Sequence, residues 1–175
     1  MMQPVAIVTG AGTGIGEATA RMLLDRGYAV VAGDVSAEAL AWTDGVDDAA
    51  AVTADVSTEE GNAALAEAAL ERFGRLDAAV LNAGIAKRSV WEADDAVDVF
   101  DRTMAVNSRG VMLGIRHAAP RIAEGGGGAI VVVASTSGIG GDPMRFAYNA
   151  SKAAAINLAR AAALDWAVRG VRVNV

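Results

Sequence analysis

The chain has 175 residues, 53% of them hydrophobic and 21% charged, with a formal net charge of −6 and no cysteine. That length and balance suit one domain with a buried core and exclude an intrinsically disordered chain. Disulfides, thiolate metal sites and cysteine nucleophiles are excluded, and the negative charge makes nucleic acid and an anionic membrane poor partners.

Residues 1–10 carry no charged start and run straight into a strand-like stretch, so no signal peptide is expected. No apolar run reaches the length of a membrane span, and a cytoplasmic location is the expectation. Short Val- and Ala-rich runs at 5–8, 29–32, 51–53, 78–81 and 130–133 read as strands buried on both faces. Helical stretches lie between them. One covers 14–26 and stops at Gly27; another covers 59–72, with Ser57-Thr58 as its N-cap and Gly74 beyond its end. Residues 94–123 suit a helix with a break, and 148–168 an alanine-rich helix that ends at Gly170. The glycine run 125–128 reads as a helix-to-strand turn, and 171–175 opens a sixth strand. This alternation predicts an α/β fold, a doubly wound parallel sheet with helices on both faces.

The first strand runs into Thr9-Gly10-Ala11-Gly12-Thr13-Gly14-Ile15-Gly16, and a helix follows. Gly10 allows the sharp turn, Gly14 lets the backbone approach a pyrophosphate, and Gly16 lets the helix pack closely on the sheet. The helix start, with Gly12, Thr13 and Ile15, offers unpaired amides and a positive dipole end to the phosphates. Asp34 closes the second strand. A carboxylate there accepts hydrogen bonds from ribose hydroxyls and repels a 2′-phosphate, which predicts NAD rather than NADP.

Tyr148 and Lys152 stand four residues apart on one helix face. Carbonyl reduction moves a hydride to carbon and a proton to oxygen; a nicotinamide cofactor handles the first, and the protein must handle the second. A free phenol titrates near about 10, so a tyrosine base needs neighbouring cations that favour the phenolate. Ser135, thirteen residues before Tyr148 and just past a strand end, suits a hydroxyl that fixes the substrate oxygen, with Ser137 as its rival. Asn107 is a polar residue in an apolar helical stretch, suited to holding a water that links Lys152 to solvent.

The order and spacing of Thr9-Gly10-x-x-x-Gly14-Ile15-Gly16, Asp55-Val56, Asn82-Ala83-Gly84, Asn107, Ser135 and Tyr148-x-x-x-Lys152 resemble those of the classical short-chain dehydrogenase/reductase family over essentially the whole chain. The resemblance implies a Rossmann-type domain over 1–175 and a homodimer or homotetramer paired through the helices near 97–118 and 148–168. It implies that Asp55 by side chain and Val56 by backbone contact the adenine, and that Asn82, Ala83 and Gly84 support the cofactor and the central sheet. Tyr148 becomes the general acid/base. Lys152 binds the nicotinamide ribose, Ser135 orients the substrate, and Asn107 completes the relay. Family members usually run to about 250 residues, an ordinary size for one α/β domain. More sheet and a substrate-covering segment are therefore expected beyond Val175.

The remaining candidates have plainer readings. His117 suits a surface or interface position, and no metal-ligand spacing appears. Asp47-Asp48 and Asp94-Asp95 read as solvated. Trp91, Ile139, Met144 and Phe146 flank the expected site and suit either a pocket wall or ordinary packing. The resulting expectation is an NAD(H)-dependent oxidoreductase acting on a secondary alcohol or ketone. The alternative is a non-catalytic NAD-binding protein that senses redox state or serves as a scaffold.

Overall fold

Runs of Val, Ala and Ile too short for helices and too apolar for loops pair into one six-stranded parallel sheet. The computed structural model describes residues 3–175. Its strands are β1 (Val5–Thr9), β2 (Ala29–Asp34), β3 (Ala49–Thr53), β4 (Ala78–Leu81), β5 (Gly128–Val132) and β6 (Val171–Asn174), in the order β3-β2-β1-β4-β5-β6. Ile7 sits in register with Val31 on one side and Ala79 on the other. β1 is buried along its whole length, as a strand covered on both faces must be.

The helices are α1 (Gly14–Asp25), α2 (Glu59–Phe73), α3 (Ala96–Met104), α4 (Gly110–Glu124) and α5 (Phe146–Ala167). Thr58 caps α2 by accepting from the Gly61 N–H at 3.0 Å, and Gly74 ends it in the left-handed region. The break expected within 94–123 is a single π-helical turn, Ala105–Arg109, between α3 and α4. Some boundaries differ from expectation, among them two strand starts. β5 starts at Gly128, so that glycine belongs to the strand and pairs with Val171. β3 begins two residues early, at Ala49, because its pairing with β2 extends to Val30.

The main core lies between the sheet and α2, α4 and α5, around Ile7, Val31, Leu65, Ile115, Ile122 and Ile130. A smaller one lies under α1, around Val8, Ala20, Val30 and Leu40. Helices thus cover both faces, as a doubly wound sheet requires. Among the described residues no helix is long and apolar enough to cross a membrane. The strand order reverses between β1 and β4, and beyond their carboxyl ends a crevice opens.

Candidate active site

At the first strand end, Gly10 turns with φ +65° and brings its carbonyl against Gly16. A Cβ on Gly16 would lie 2.0 Å from the Gly10 oxygen and 2.6 Å from Asn82 Nδ2, so only glycine fits. Gly14 has φ +60° and open space where a side chain would stand. Thr13 begins α1 without a side-chain cap, which leaves the first amides of the helix available. This arrangement fits a dinucleotide pyrophosphate: a glycine opening, free amides and a positive helix end in one place.

Side chains hold the loop rigid. Thr9 Oγ1 accepts from the N–H groups of Asn82 (3.0 Å) and Ala83 (3.1 Å), while Asn82 Nδ2 donates to the carbonyls of Thr9 (3.0 Å) and Gly10 (3.3 Å). The ends of β1 and β4 are thereby locked together. Trp42 Nε1 donates to the Ala11 carbonyl at 3.0 Å. The Asp34 carboxylate accepts from the N–H groups of Gly12 (3.0 Å) and Ser36 (3.1 Å) and stands half-buried beside the loop.

A groove runs from Asp34 and Val35 past Asp55, Val56 and Val106 to Arg102. Asp55 accepts from the Ser57 hydroxyl (2.7 Å) and N–H (2.9 Å) and lies 3.6 Å from Arg102 Nη2. The Ser57 bonds, with a smaller contribution from Arg102, hold its carboxyl below the usual aspartate value. Val56 is fixed by Asn62, whose Nδ2 donates to its carbonyl at 2.8 Å. A second stretch of groove is lined by Thr13, Gly14, Asn82, Ala134, Tyr148 and Lys152, and shares Gly10, Asp34, Ala83, Gly84 and Ile85 with the first. The two are therefore one continuous cleft.

At its far end Lys152 lies one helical turn beyond Tyr148, with Nζ 5.8 Å from the centre of the phenol ring. Only 4% of Lys152 is exposed, and Nζ donates to the Val133 carbonyl at 2.7 Å. Burial pushes its pKa below the ordinary lysine value. Asn107 is fully buried in the π turn. Its Oδ1 accepts from the Ile85 N–H (2.8 Å), and Nδ2 donates to the Ile85 carbonyl (2.9 Å) and to Ser151 Oγ (3.0 Å). Both amide donors are thus spent on holding the loop after β4 and α5, rather than on the water the sequence suggested. Ser151 passes the contact on, donating to the Tyr148 carbonyl at 2.8 Å. Ser135 Oγ accepts from the Ser137 N–H at 3.1 Å, which leaves its own proton to give. Ser137 is buried and gives its proton to Asp142.

Several of these residues escape a reading by type and spacing. Thr9 and Ser151 lie inside recognisable motifs, but their roles depend on partners far along the chain. Trp42 and Arg102 belong to no motif. The other candidates fall outside the cleft. His117 is half-buried and shares Glu59 Oε1 (2.8 Å) with Arg116 (3.0 Å), bridging α2 and α4. Asp95 is not merely solvated, because it pairs with Lys87 at 2.7 Å. Trp91 stacks on Phe146 at 4.6 Å yet is 77% exposed, and Ile139 is 83% exposed. Neither is core packing.

The family model for short chain dehydrogenases matches residues 4–175. The cis-4-hydroxycyclohexanecarboxylate dehydrogenase of Sinomonas cyclohexanicum is 44% identical over 97% of this chain and 70% of its own. The 2-(R)-hydroxypropyl-CoM dehydrogenase of Xanthobacter autotrophicus is 43% identical over 99% of this chain and 72% of its own. A 3-ketoacyl-(acyl-carrier-protein) reductase from Brucella melitensis, solved with NADH, superposes with a TM-score of 0.90 at 37% identity, covering 98% of this chain and 74% of that one. The protein is an oxidoreductase and belongs to the short chain dehydrogenase family.

Proposed function

We propose that the protein interconverts a secondary alcohol and its ketone with NAD(H), and that Tyr148 carries the proton. The carrying observation is the cleft itself: one continuous groove joins the glycine loop to Tyr148 and Lys152. The names of the Sinomonas and Xanthobacter relatives support it, since both describe secondary alcohols. When bound, the nicotinamide supplies or accepts the hydride. Ser135 holds the substrate oxygen by donating its free hydroxyl proton. In the oxidative direction Tyr148 Oη takes the alcohol proton, and in reduction it returns it. Lys152, held by Val133, presents its ammonium to the phenol and to the ribose end of the groove. Asn107 and Ser151 position these groups, Asn107 by holding the Ile85 backbone and Ser151 by holding the Tyr148 carbonyl.

Asp34 supports NAD over NADP, because a 2′-phosphate beside it would meet a carboxylate already held in place by two N–H groups. Asp55, Val56 and the wall up to Arg102 take the adenosine, with Asn82, Ala83 and Gly84 beneath the cofactor. A homodimer or homotetramer agrees with Val97, Phe100, Met112 and Leu164, which stand exposed on the helices that would pair; the proposed location is the cytoplasm. The test is turnover with NAD+ and NADP+ on a panel including 4-hydroxycyclohexanecarboxylate, its methyl ester and simple 2-alkanols. Tyr148→Phe should lower kcat by about 10²- to 10⁴-fold, the span of general acid–base catalysis, with cofactor binding kept. An equally active variant would remove Tyr148 from the chemistry.

A further inference from the structure

Two arginines stand beyond Tyr148 without an acidic partner. Arg145 precedes α5, is half-buried, and holds its guanidinium carbon 5.9 Å from the centre of the Tyr148 ring. The Asn149 N–H donates to its carbonyl at 2.8 Å, which fixes the backbone there. Arg88 arrives from the connection between β4 and α3. Its Nη2 lies 3.6 Å from the Met144 sulfur, and the neighbouring Ser89 N–H donates to the Met144 carbonyl at 3.0 Å. Both guanidinium groups therefore belong to one rim, on either side of Met144.

Among the described residues no carboxylate pairs with either arginine. Of the acidic groups on these loops, Asp95 is held by Lys87 and Asp142 by the Ser137 hydroxyl, while Glu92 and Asp94 are exposed and pair with neither arginine. Neither arginine lines the cofactor cleft, so the cofactor phosphates do not account for them. The Arg145 guanidinium meets the face of the Tyr148 ring, but its N–H donors meet no acceptor among the described residues and face outward. Its planar fork matches a carboxylate or sulfonate through two parallel hydrogen bonds.

We propose that Arg145, with Arg88 beside it, binds the anionic group of the substrate, which is then a hydroxy or keto compound bearing a carboxylate or sulfonate. This rests on the oxidoreductase reading above and adds the substrate class to it. The reacting carbon lies toward Ser135 and Tyr148 Oη, and the anion lies over the rim at Met144.

The test compares 4-hydroxycyclohexanecarboxylate with its uncharged methyl ester in the unaltered protein, Arg145→Ala, Arg145→Lys and Arg88→Ala. Calorimetry on the NADH complex measures binding of unreactive cyclohexanecarboxylate and cyclohexanesulfonate, and whichever binds more tightly names the anion. The acid should exceed the ester in kcat/KM by at least about tenfold. Arg145→Ala should lower kcat/KM on the acid by about 10- to 100-fold, mainly through KM, and leave the ester within about twofold. Arg145→Lys should fall between, keeping the charge and losing the fork. Arg88→Ala should show a smaller loss of the same kind.

Equal losses on acid and ester would overturn the proposal, as would a shift of the pH profile common to both; either makes Arg145 a partner of the phenol. Preference for the ester would overturn it too. If no alcohol is turned over, binding decides. Anion binding that Arg145→Ala abolishes upholds the anion site while the reaction reading falls. Absence of anion binding removes the site whatever the turnover.

Discussion

The cofactor end of the cleft and its substrate rim are held by different means. At the cofactor end, Thr9, Asn82, Asp34 and Trp42 all bond to main-chain groups of strand ends and the glycine loop. The buried sheet fixes those groups, so the geometry is set before any ligand arrives. At the rim, two connections, 85–95 and 135–145, lean on each other through one main-chain hydrogen bond and an arginine–sulfur contact, and the exposed Trp91 stacks on Phe146 at the start of α5. Met144 adopts φ +59°, outside the usual range for a side-chain-bearing residue. A cofactor shared by many enzymes suits the rigid end; a substrate peculiar to one suits loops that vary without disturbing the sheet.

Gly16→Ala tests the rigid end most severely. Its Cβ would lie 2.0 Å from the Gly10 carbonyl, in a place closed by sheet and helix. Overpacking of this kind costs about 1–3 kcal/mol or more. Thermal unfolding should shift down sharply and cofactor binding should vanish. A variant of unchanged stability would show that the loop yields, and the contrast between the two ends would weaken.

That rigidity is also why the cofactor end was the legible one. The residues Gly10, Gly14, Gly16 and Asp34 announce themselves because a turn, an open approach and a strand-end carboxylate each admit few residue types. The doubly wound parallel sheet followed from short buried strands alternating with helices. Tyr148 and Lys152 were legible through helical spacing alone. Thr9, Trp42 and Ser151 were not, because a hydroxyl or indole gains its role from a partner brought close only by folding. Asn107 falls between: its buried polar character showed in the sequence, but the partners of its amide did not. Arg145 and Arg88 are silent in sequence, since only the folded rim reveals that they lack carboxylates.

Asn107→Ala tests where the two ends meet. It would leave the Ile85 N–H and carbonyl without their partner, at about 1–3 kcal/mol for each group that stays buried and unsatisfied. Chemical denaturation should report the loss, and turnover should fall further than cofactor binding, because Ile85 begins the segment leading to the rim. If cofactor binding falls as far as turnover, the loop after β4 belongs wholly to the rigid end.

Asp34→Ala should act on cofactor choice while sparing the chemistry. Removing the charge should narrow a preference for NADH over NADPH by about 10- to 100-fold, the size of one close charge repulsion at partial burial. It also frees the Gly12 N–H, so NADH binding should weaken modestly. An unaltered protein that already prefers NADPH would overturn this reading of Asp34. It would also show that the sheet-fixed end is less decisive than its geometry suggests.

The smallest effect should appear as a pH dependence of stability at the join. Lys152 is nearly enclosed, and burial lowers its pKa, whereas in an unfolded chain a lysine titrates near about 10.4. Between those two values the unfolded chain binds more protons than the folded one, so stability rises with pH across that window. Below the lowered pKa the folded protein carries the full cost of enclosing the ammonium. Urea unfolding from neutral to alkaline pH, without cofactor, should therefore show a rise that Lys152→Met removes. The variant loses the bond to Val133, so the difference between the two curves, rather than either level, reports the lysine. A cofactor whose ribose accepts from Nζ stabilises the charged form, so saturating NADH should shrink the same rise. Identical slopes for the two proteins would mean that Lys152 keeps its proton at no cost. The catalytic end would then be as settled as the glycine loop, and the division between the two ends would lie farther out, at Met144.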